Sequence, residues 1–263
     1  MSIQNSALEK KRIVVKVGSA VLTQDGDIAL QRMKALVDFL ADLKKEHEVI
    51  LVSSGAVAAG YTKLKLDRSI IENKQALASI GQPLLMKKYT KKFEPHNIIV
   101  SQVLVTATNL DRDDDIQKIK NTINTLLYNG VIPIVNENDA TATDELVVGD
   151  NDQLSAYITK HTDADILIIL SDIDAYYDSD PHKNKDAKIL KIVNEISKAE
   201  LEKEATPNGV FATGGIVTKL KAAAYLLDSN IQMCLFSGFD LSDARSFMID
   251  KNHKGGTLFK AKK

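Results

Sequence analysis

Short apolar runs alternate with longer amphipathic stretches along almost the whole chain. Runs rich in β-branched residues predict buried strands, and apolar residues spaced three and four apart predict helices. The predicted strands lie at 12–17, 47–52, 97–104, 131–135, 165–170, 231–236 and 256–259. The predicted helices lie at 28–46, 69–93, 116–128, 152–160, 196–203, 216–227 and 241–249, the second with an interruption at 81–83.

This alternation indicates the α/β class, with an open, mainly parallel, doubly wound sheet flanked by helices. A length of 263 residues is enough to bury a substantial core. Since no low-complexity linker divides the chain, we expect a single domain over residues 1–263. Its two lobes are expected to meet near residue 160.

Charge and composition narrow the class of protein. The chain carries 34 Lys and Arg residues against 35 Asp and Glu, so its net charge of −1 gives no bulk attraction to nucleic acid or membrane. Its apolar runs are too short to span a bilayer, and its first residues lack a signal-peptide core. We therefore expect a cytoplasmic protein with neither partner. The single Cys234 lies in an apolar run and is predicted to be a buried core residue.

The segment 136–156 is crowded with polar side chains directly after a predicted strand. These are Asn136, Glu137, Asn138, Asp139, Asp144, Asp150, Asn151 and Asp152. Capping of the following helix accounts for only one or two of them. Open α/β sheets bind ligands outside the carboxyl ends of their strands, so this segment favours a binding site over a solvated surface loop.

Three other strand ends carry candidates for anion binding. Lys16 lies inside an apolar strand, where it either reaches solvent along its own stem or holds a phosphate beside Gly18. Residues 53–56 precede a helix whose first N–H groups attract anions. The pair Gly214–Gly215 comes one helical turn before Lys219; a plain structural turn is the alternative interpretation there.

Several other chemistries are disfavoured. Residues 55–60 fit half of a Walker-A loop, but Tyr61 stands where that motif requires lysine. The five histidines are scattered, which leaves no zinc motif and no Ser-His-Asp order to propose. The aspartates at 172–180 lack the glycine and final glutamate of a calcium loop. Two lysines, glycine-rich strand ends and a carboxylate–amide loop together match the needs of phosphoryl transfer.

The order of these motifs resembles the amino acid kinase family and, within it, the glutamate 5-kinase branch. The resemblance rests on 15–19 (VKVGS), 52–56 (VSSGA), 136–139 (NEND), 149–152 (GDND), 171–172 (SD) and 213–219 (TGGIVTK), and it covers essentially the whole chain. It implies a three-layer sandwich, an N-terminal lobe that binds glutamate and a C-terminal lobe that binds ATP. Many members of the family carry an extra C-terminal PUA domain, and we expect this chain to lack it because the chain ends just after residues 256–259.

The resemblance assigns roles to individual residues. Lys16 and Lys219 would contact the transferring phosphoryl group, and Asp152 would orient both as the third catalytic residue. Ser54, Asp139 and Asn151 would hold L-glutamate. The ATP pocket would be lined by Lys16, Gly18, Ser171, Asp172, Thr213, Gly214, Gly215, Ile216, Val217, Thr218 and Lys219. Magnesium would bridge the ATP phosphates without a direct protein ligand.

The implied reaction is ATP-dependent phosphorylation of the glutamate γ-carboxylate, the first step of proline synthesis. That carboxylate is ionised at neutral pH and needs no general base. Feedback inhibition by proline at the glutamate site and a homodimer or homotetramer are further expectations. One departure concerns the nucleotide pocket, since Ala175–Tyr176 replaces the glycine–leucine usual in the family. Another acceptor for the same chemistry, or a non-catalytic binding protein, remain the alternatives.

Overall fold

The computed structural model describes residues 10–141, 151–181, 183–202 and 215–262. The strands are β1 Arg12–Val17, β2 Thr23–Gln24, β3 Asp27–Ile28, β4 Glu48–Ser53, β5 Val100–Val105, β6 Ile132–Glu137, β7 Ile166–Ser171, β8 Ile192–Val193, β9 Gln232–Ser237 and β10 Thr257–Phe259. The helices are α1 Ser19–Leu22, α2 Leu30–Lys44, α3 Ala56–Tyr61, α4 Ile71–Phe93, α5 Ala107–Leu110, α6 Asp113–Tyr128, α7 Asn151–His161, α8 Lys198–Leu201, α9 Ile216–Leu227 and α10 Ser242–Met248. A 3₁₀ turn follows α4 at Glu94–His96.

Eight of the described strands form one sheet in the order β5-β6-β4-β1-β7-β9-β10-β8, and β2 pairs with β3 as a separate hairpin. Every neighbouring pair in the large sheet is parallel except β9 with β10. The mainly parallel, doubly wound sheet predicted from the sequence is therefore confirmed. One of its two central strands is β1, which lies between β4 and β7.

Helices cover both faces of the sheet and create two core layers. Because strand side chains alternate between faces, Ile13, Val15 and Val17 of β1 pack into the layer of α2, α4 and α10, whereas Val14 packs into the layer of α6, α7 and α9. Lys16 has the parity of Val14 and so faces α7 and α9. This alternation alone decides which helices can reach the lysine.

Helix α4 corrects one prediction. The break expected at 81–83 is absent, and the helix continues through Pro83 to Phe93. Gly81 lies in tight contact with α3, since a Cβ at that position would be 1.7 Å from the carbonyl oxygen of Ala56. We attribute the continuity to this packing, which offsets the backbone hydrogen bond that proline cannot donate.

The shortest elements were not predicted. The two-residue strands of the hairpin delay the predicted first helix until Leu30, and β8 is equally short. Such segments are too brief to show a period of two. Cys234 is fully buried in the core, as predicted. Among the described residues, none of the helices has both the length and the apolar character needed to cross a membrane.

Candidate active site

Four adjacent strands bring the candidate residues to one edge of the sheet. The carboxyl ends of β6, β4, β1 and β7 lie side by side, and the chain leaves β1 first towards β4 and later returns on its other side as β7. Such a reversal of strand order is where open α/β sheets bind ligands. Lys16, Ser54, Asn136 and Ser171 all lie at or next to these strand ends.

A buried ionic group, the lysine–aspartate cluster, lies at the centre of this edge. It consists of Lys16, Asp152, Thr218 and Lys219. Lys16 Nζ donates to Asp152 Oδ1 at 2.5 Å, and Lys219 Nζ donates to Asp152 Oδ2 at 3.1 Å. Thr218 Oγ1 adds a hydrogen bond of 2.8 Å to the same Oδ2. The side chains of both lysines are at most 5% exposed, so Lys16 is held in an ion pair instead of extending to solvent.

Local structure explains how residues far apart in sequence meet here. Asp152 is in the first turn of α7, and Thr218 and Lys219 are in the first turn of α9. Both helices cover the sheet face to which Lys16 points. Helix α9 begins after Gly215, whose carbonyl oxygen lies 2.9 Å from Thr218 Oγ1 and shares the single hydroxyl hydrogen with Asp152 Oδ2.

The cluster keeps Asp152 ionised. Burial acts to raise the pKa of this carboxyl group, but the charges of Lys16 and Lys219 and the hydrogen bonds from Lys16 and Thr218 outweigh it and hold the pKa far below its usual value. Asp152 therefore holds two ammonium groups side by side. Paired ammonium groups of this kind suit a polyanionic ligand such as a nucleotide phosphate.

Gly18 and Ser171 border the cluster on β1 and β7. The Gly18 N–H donates to the carbonyl oxygen of Leu170 at 3.0 Å, and a Cβ at Gly18 would lie 3.9 Å from Lys16 Nζ. The backbone of Gly18 thus lies next to the Lys16 ammonium group with no side chain in between. Ser171 Oγ donates to Asp172 Oδ1 at 2.9 Å at the end of β7.

A chain of hydrogen-bonded neutral side chains, the amide relay, lies beside the cluster. It runs from Ser54 through Asn151, Asn136 and Gln82 to Gln102. Asn151 Nδ2 donates to Ser54 Oγ at 2.7 Å and to Asn136 Oδ1 at 3.1 Å. Asn136 Nδ2 donates to Gln82 Oε1 at 3.0 Å, and Gln82 Nε2 donates to Gln102 Oε1 at 3.1 Å. The relay and the cluster are adjacent because Asn151 and Asp152 are consecutive residues.

Two members of the relay, Gln82 and Gln102, line a cleft of about 160 Å³. Its lining residues are Ala56, Ala78, Ser79, Gln82, Pro83, Gln102, Leu104, Glu137, Asn138, Asp139 and Ala140. Asp139 is partly buried there, and burial raises the pKa of its carboxyl group to about 6. A carboxylate desolvated in this way would gain a favourable partner from a cationic ligand group.

The structure brings together most, but not all, of the sequence-predicted residues. Lys16, Asp152 and Lys219 are in direct contact, as are Ser54 and Asn151. Gly215, Ile216, Val217 and Thr218 form the start of α9. Thr213, Gly214, Gly149 and Asp150 lie outside the described residues.

The unusual Ala175–Tyr176 pair has a packing role. Ala175 is buried, and the Tyr176 ring stacks on Phe259 with centroids 6.3 Å apart. The Tyr176 hydroxyl donates to Glu200, which belongs to the capping box of α8. Larger side chains than those usual in the family are thus accommodated against β10 and α8.

Sequence reasoning missed Gln82 and Gln102 and did not single out Asn136 within its crowded loop. Gln82 stood in the segment predicted to interrupt α4, where a polar residue needs no special explanation. In a continuous helix, Gln82 lies on the buried side with Leu85 and Tyr89, and this unusual placement is the signal that could have found it.

The described residues contain no group of three or more His, Cys, Asp or Glu side chains suited to hold a metal ion. Asp152, the most buried carboxylate of the site, is already engaged by two lysines and a threonine. A magnesium ion that accompanied a nucleotide would fit this arrangement with phosphate and water oxygens as its ligands.

Comparison with known proteins gives consistent matches. Residues 11–237 match the amino acid kinase family. A glutamate 5-kinase of Leishmania donovani is 53% identical over 249 residues, covering 95% of each chain. A glutamate 5-kinase of Wolinella succinogenes is 52% identical over 254 residues, covering 95% of this chain and 97% of that one.

Solved structures agree on the fold. UMP kinase from Ureaplasma parvum superposes with a TM-score of 0.63 at 17% identity, over 96% of this chain and 100% of that one. Carbamate kinase from Giardia lamblia superposes with a TM-score of 0.65 at 16% identity, over 97% of this chain and 99% of that one. At these identities the likeness concerns architecture alone.

Proposed function

Because the chain belongs to the amino acid kinase family and, within it, to the glutamate 5-kinases, we propose that it transfers the γ-phosphoryl group of ATP to the γ-carboxylate of L-glutamate. The products are ADP and L-glutamyl 5-phosphate, and the reaction opens proline synthesis. The observation that carries this proposal is the buried lysine–aspartate cluster beside a cleft that holds a desolvated carboxylate.

The reaction needs positioning and positive charge more than proton transfer. A γ-carboxylate oxygen attacks the γ-phosphorus, a carbon–oxygen–phosphorus linkage forms, and the bond to the β,γ-bridging oxygen breaks with its electron pair leaving on ADP. The attacking carboxylate is already ionised at neutral pH. Lys16 and Lys219 stabilise the negative charge on the transferring group, which is the main catalytic contribution in phosphoryl transfer.

Asp152 and Gly18 act on the donor side. Asp152 holds both ammonium groups in one place before ATP arrives, so that little reorganisation is needed during the reaction. Gly18 leaves room for phosphate oxygens next to Lys16. Ser171, Asp172 and the start of α9 from Gly215 to Lys219 are the described residues that would complete the ATP pocket in the C-terminal lobe. Thr213 and Gly214 are assigned to the same pocket by the family resemblance alone. Magnesium, held by phosphate and water oxygens, would neutralise part of the phosphate charge.

Ser54, Asn151 and Asp139 act on the acceptor side, in the N-terminal lobe. Asp139 offers a carboxylate to the glutamate ammonium group, while Ser54 and Asn151 offer hydrogen bonds next to the cluster. The acceptor is thereby held between the cleft and the lysines, which brings its γ-carboxylate into line with the phosphoryl group.

The test is ADP release from magnesium-ATP with a panel of acceptors, in the presence of hydroxylamine. Hydroxylamine converts an acyl phosphate to a hydroxamate, which is measured directly. We expect hydroxamate from L-glutamate and little from aspartate, N-acetylglutamate or carbamate, and no phosphorylation of uridine monophosphate. Turnover with another acceptor, or none with glutamate, would overturn the proposal.

Lys219→Ala tests the role of the cluster in the same assay. We expect the rate to fall by about 10²-fold or more, as for loss of one preorganised charge at the transition state. Lys221→Ala is the matched control, because Lys221 lies two residues further along α9 with its side chain exposed. Its activity should equal that of the wild type.

Proline inhibition and assembly into a homodimer or homotetramer belong to the same proposal. Proline carries the α-ammonium and α-carboxylate groups of glutamate, so the acceptor residues suit both. Added proline is expected to raise the apparent KM for glutamate and leave the KM for ATP unchanged. Light scattering of the purified protein measures the assembly.

A further inference from the structure

We propose that Gln82 is a positioning residue for the acceptor substrate, which acts through Asn136 to fix the orientation of Asn151. The inference deepens the function proposed above and rests on it. Gln82 lines the cleft, is only 7% exposed, and is hydrogen-bonded on both ends of its amide group. Its two hydrogen-bond partners, Gln102 and Asn136, lie outside the lysine–aspartate cluster.

Each amide group in the relay has a defined orientation. A side-chain amide has one donor end and one acceptor end, so fixing one end also decides what the other end presents. Gln82 presents Oε1 to Asn136, and Asn136 must therefore turn Nδ2 towards Gln82. The Oδ1 of Asn136 then faces Asn151 and accepts a hydrogen bond from its Nδ2.

Asn151, the amide residue next to the cluster, has its Oδ1 atom available for a ligand. Both hydrogens of Asn151 Nδ2 are donated within the protein, to Asn136 and to Ser54. Asn151 consequently presents an oxygen, which accepts hydrogen bonds and suits an ammonium group. Ser54 Oγ accepts from Asn151, so its own hydrogen remains to donate, which suits a carboxylate.

The orientation of Gln82 is itself fixed by two neighbouring elements, β5 and α3. Its Nε2 donates to Oε1 of Gln102, an exposed residue of β5. Its backbone is fixed because the neighbouring Gly81 packs closely against α3. The relay thus transmits an orientation from the edge of the sheet to the residue next to Asp152. Its predicted effect is to favour an α-amino acid over a dicarboxylate that lacks the ammonium group.

Gln82→Met tests this inference, because methionine has nearly the same volume but offers no strong acceptor to Asn136. Glutarate is the probe, since it equals glutamate without the α-ammonium group. We expect the KM for glutamate to rise about tenfold, the value for one lost directional hydrogen bond in a buried site. The inhibition constant of glutarate, kcat and the KM for ATP should change by less than about threefold.

Two further variants keep the test decisive. Gln117→Met makes the same substitution at an exposed glutamine of α6 and should change neither constant. Gln102→Met removes the outer hydrogen bond of the relay, at an exposed residue on the wall of the cleft, and should reduce the discrimination between glutamate and glutarate less than Gln82→Met does. It also carries the test if Gln82→Met fails to fold, as judged by its thermal unfolding.

The outcomes separate this inference from the proposed function. Equal rises in the glutamate and glutarate constants would show general damage to the cleft and overturn the positioning role, as would no change in either. A wild-type protein that does not phosphorylate glutamate would overturn the proposed function instead. In that case the relay is judged by the dissociation constants of glutamate and glutarate in titration calorimetry, with the same expected ratio.

Discussion

The lysine–aspartate cluster and the amide relay lie side by side, but the first consists mainly of charged side chains and the second of neutral ones. The cluster has three charged side chains, and all of them are almost completely buried. The relay has no formal charge, and each of its links is a neutral hydrogen bond of 2.7 to 3.1 Å. The cluster fixes the positions of charged groups, and the relay fixes the orientation of neutral amide groups.

This difference separates two tasks that a phosphotransferase must perform. Buried charge interacts strongly with a transition state whose negative charge is spread over the phosphoryl oxygens. Neutral hydrogen bonds are weaker, but they discriminate between ligands by donor and acceptor pattern. Variants in the cluster are therefore expected to act on kcat, and variants in the relay and its cleft on the KM for glutamate.

Asp152→Asn should have the largest effect. The variant leaves two buried ammonium groups without their carboxylate, and we expect kcat/KM to fall by about 10³-fold or more. Removal of one partner from a buried ion pair also destabilises a fold by about 3–5 kcal/mol, which urea unfolding would measure. Asp228→Asn, at an exposed aspartate after α9, is the control and should match the wild type. A stable, active Asp152→Asn protein would show that the charge of Asp152 is not needed to hold the two lysines.

Asp139→Asn should act on glutamate, with a dependence on pH. Burial raises the pKa of Asp139 to about 6 from 3.8, so the folded protein binds this proton more tightly than the unfolded chain does. The resulting stabilisation is complete below the lower value and is lost as the pH rises through about 6. Asp139→Asn is therefore expected to unfold at a higher temperature than the wild type at pH 7.5, but not at pH 4.

The same residue predicts the pH profile of activity. In the wild type, kcat/KM for glutamate should fall as the pH drops below about 6, because the protonated Asp139 no longer attracts the ammonium group. In Asp139→Asn this fall at acid pH should disappear. At pH 7.5 the kcat/KM of the variant should be about tenfold lower than that of the wild type, because its KM for glutamate is higher. An unchanged acid limb in the variant would assign the titration to another group.

Ser54→Ala should produce a smaller change of the same kind. It removes the 2.7 Å partner of Asn151 and one donor for the substrate. The loss of about 1 kcal/mol corresponds to a rise of about fivefold in the KM for glutamate, with kcat nearly unchanged. Steady-state kinetics with both substrates varied would detect it, and a fall in kcat alone would contradict the division of tasks.

Thr218→Val should have the smallest effect and belongs to the cluster. Valine keeps the shape but removes the 2.8 Å hydrogen bond to Asp152 Oδ2. We expect kcat to fall about threefold while the KM for glutamate stays constant, since both lysines still hold the carboxylate. Thr122→Val, at an exposed threonine of α6 that bonds to the backbone, is the matched control.

The sequence alone determined the layered α/β architecture, because buried parallel strands and amphipathic helices impose distinct periods on a chain. Helix α9 was predicted to the residue, and β1 likewise. The order of short motifs also identified Lys16, Asp152 and Lys219 as partners, through resemblance to a family. Periodicity contains no information about which distant side chains meet.

Only the tertiary structure decided how these residues are arranged. Lys16 reaches Asp152, 136 residues away, because β1 is a central strand and its even-numbered side chains face α7. Gln82 joins the relay because α4 stays helical through Pro83, which places the Gln82 side chain within hydrogen-bonding distance of Asn136 in β6. Sequence patterns are local, whereas the sheet order and the close packing of α3 on α4 arise from contacts between distant segments.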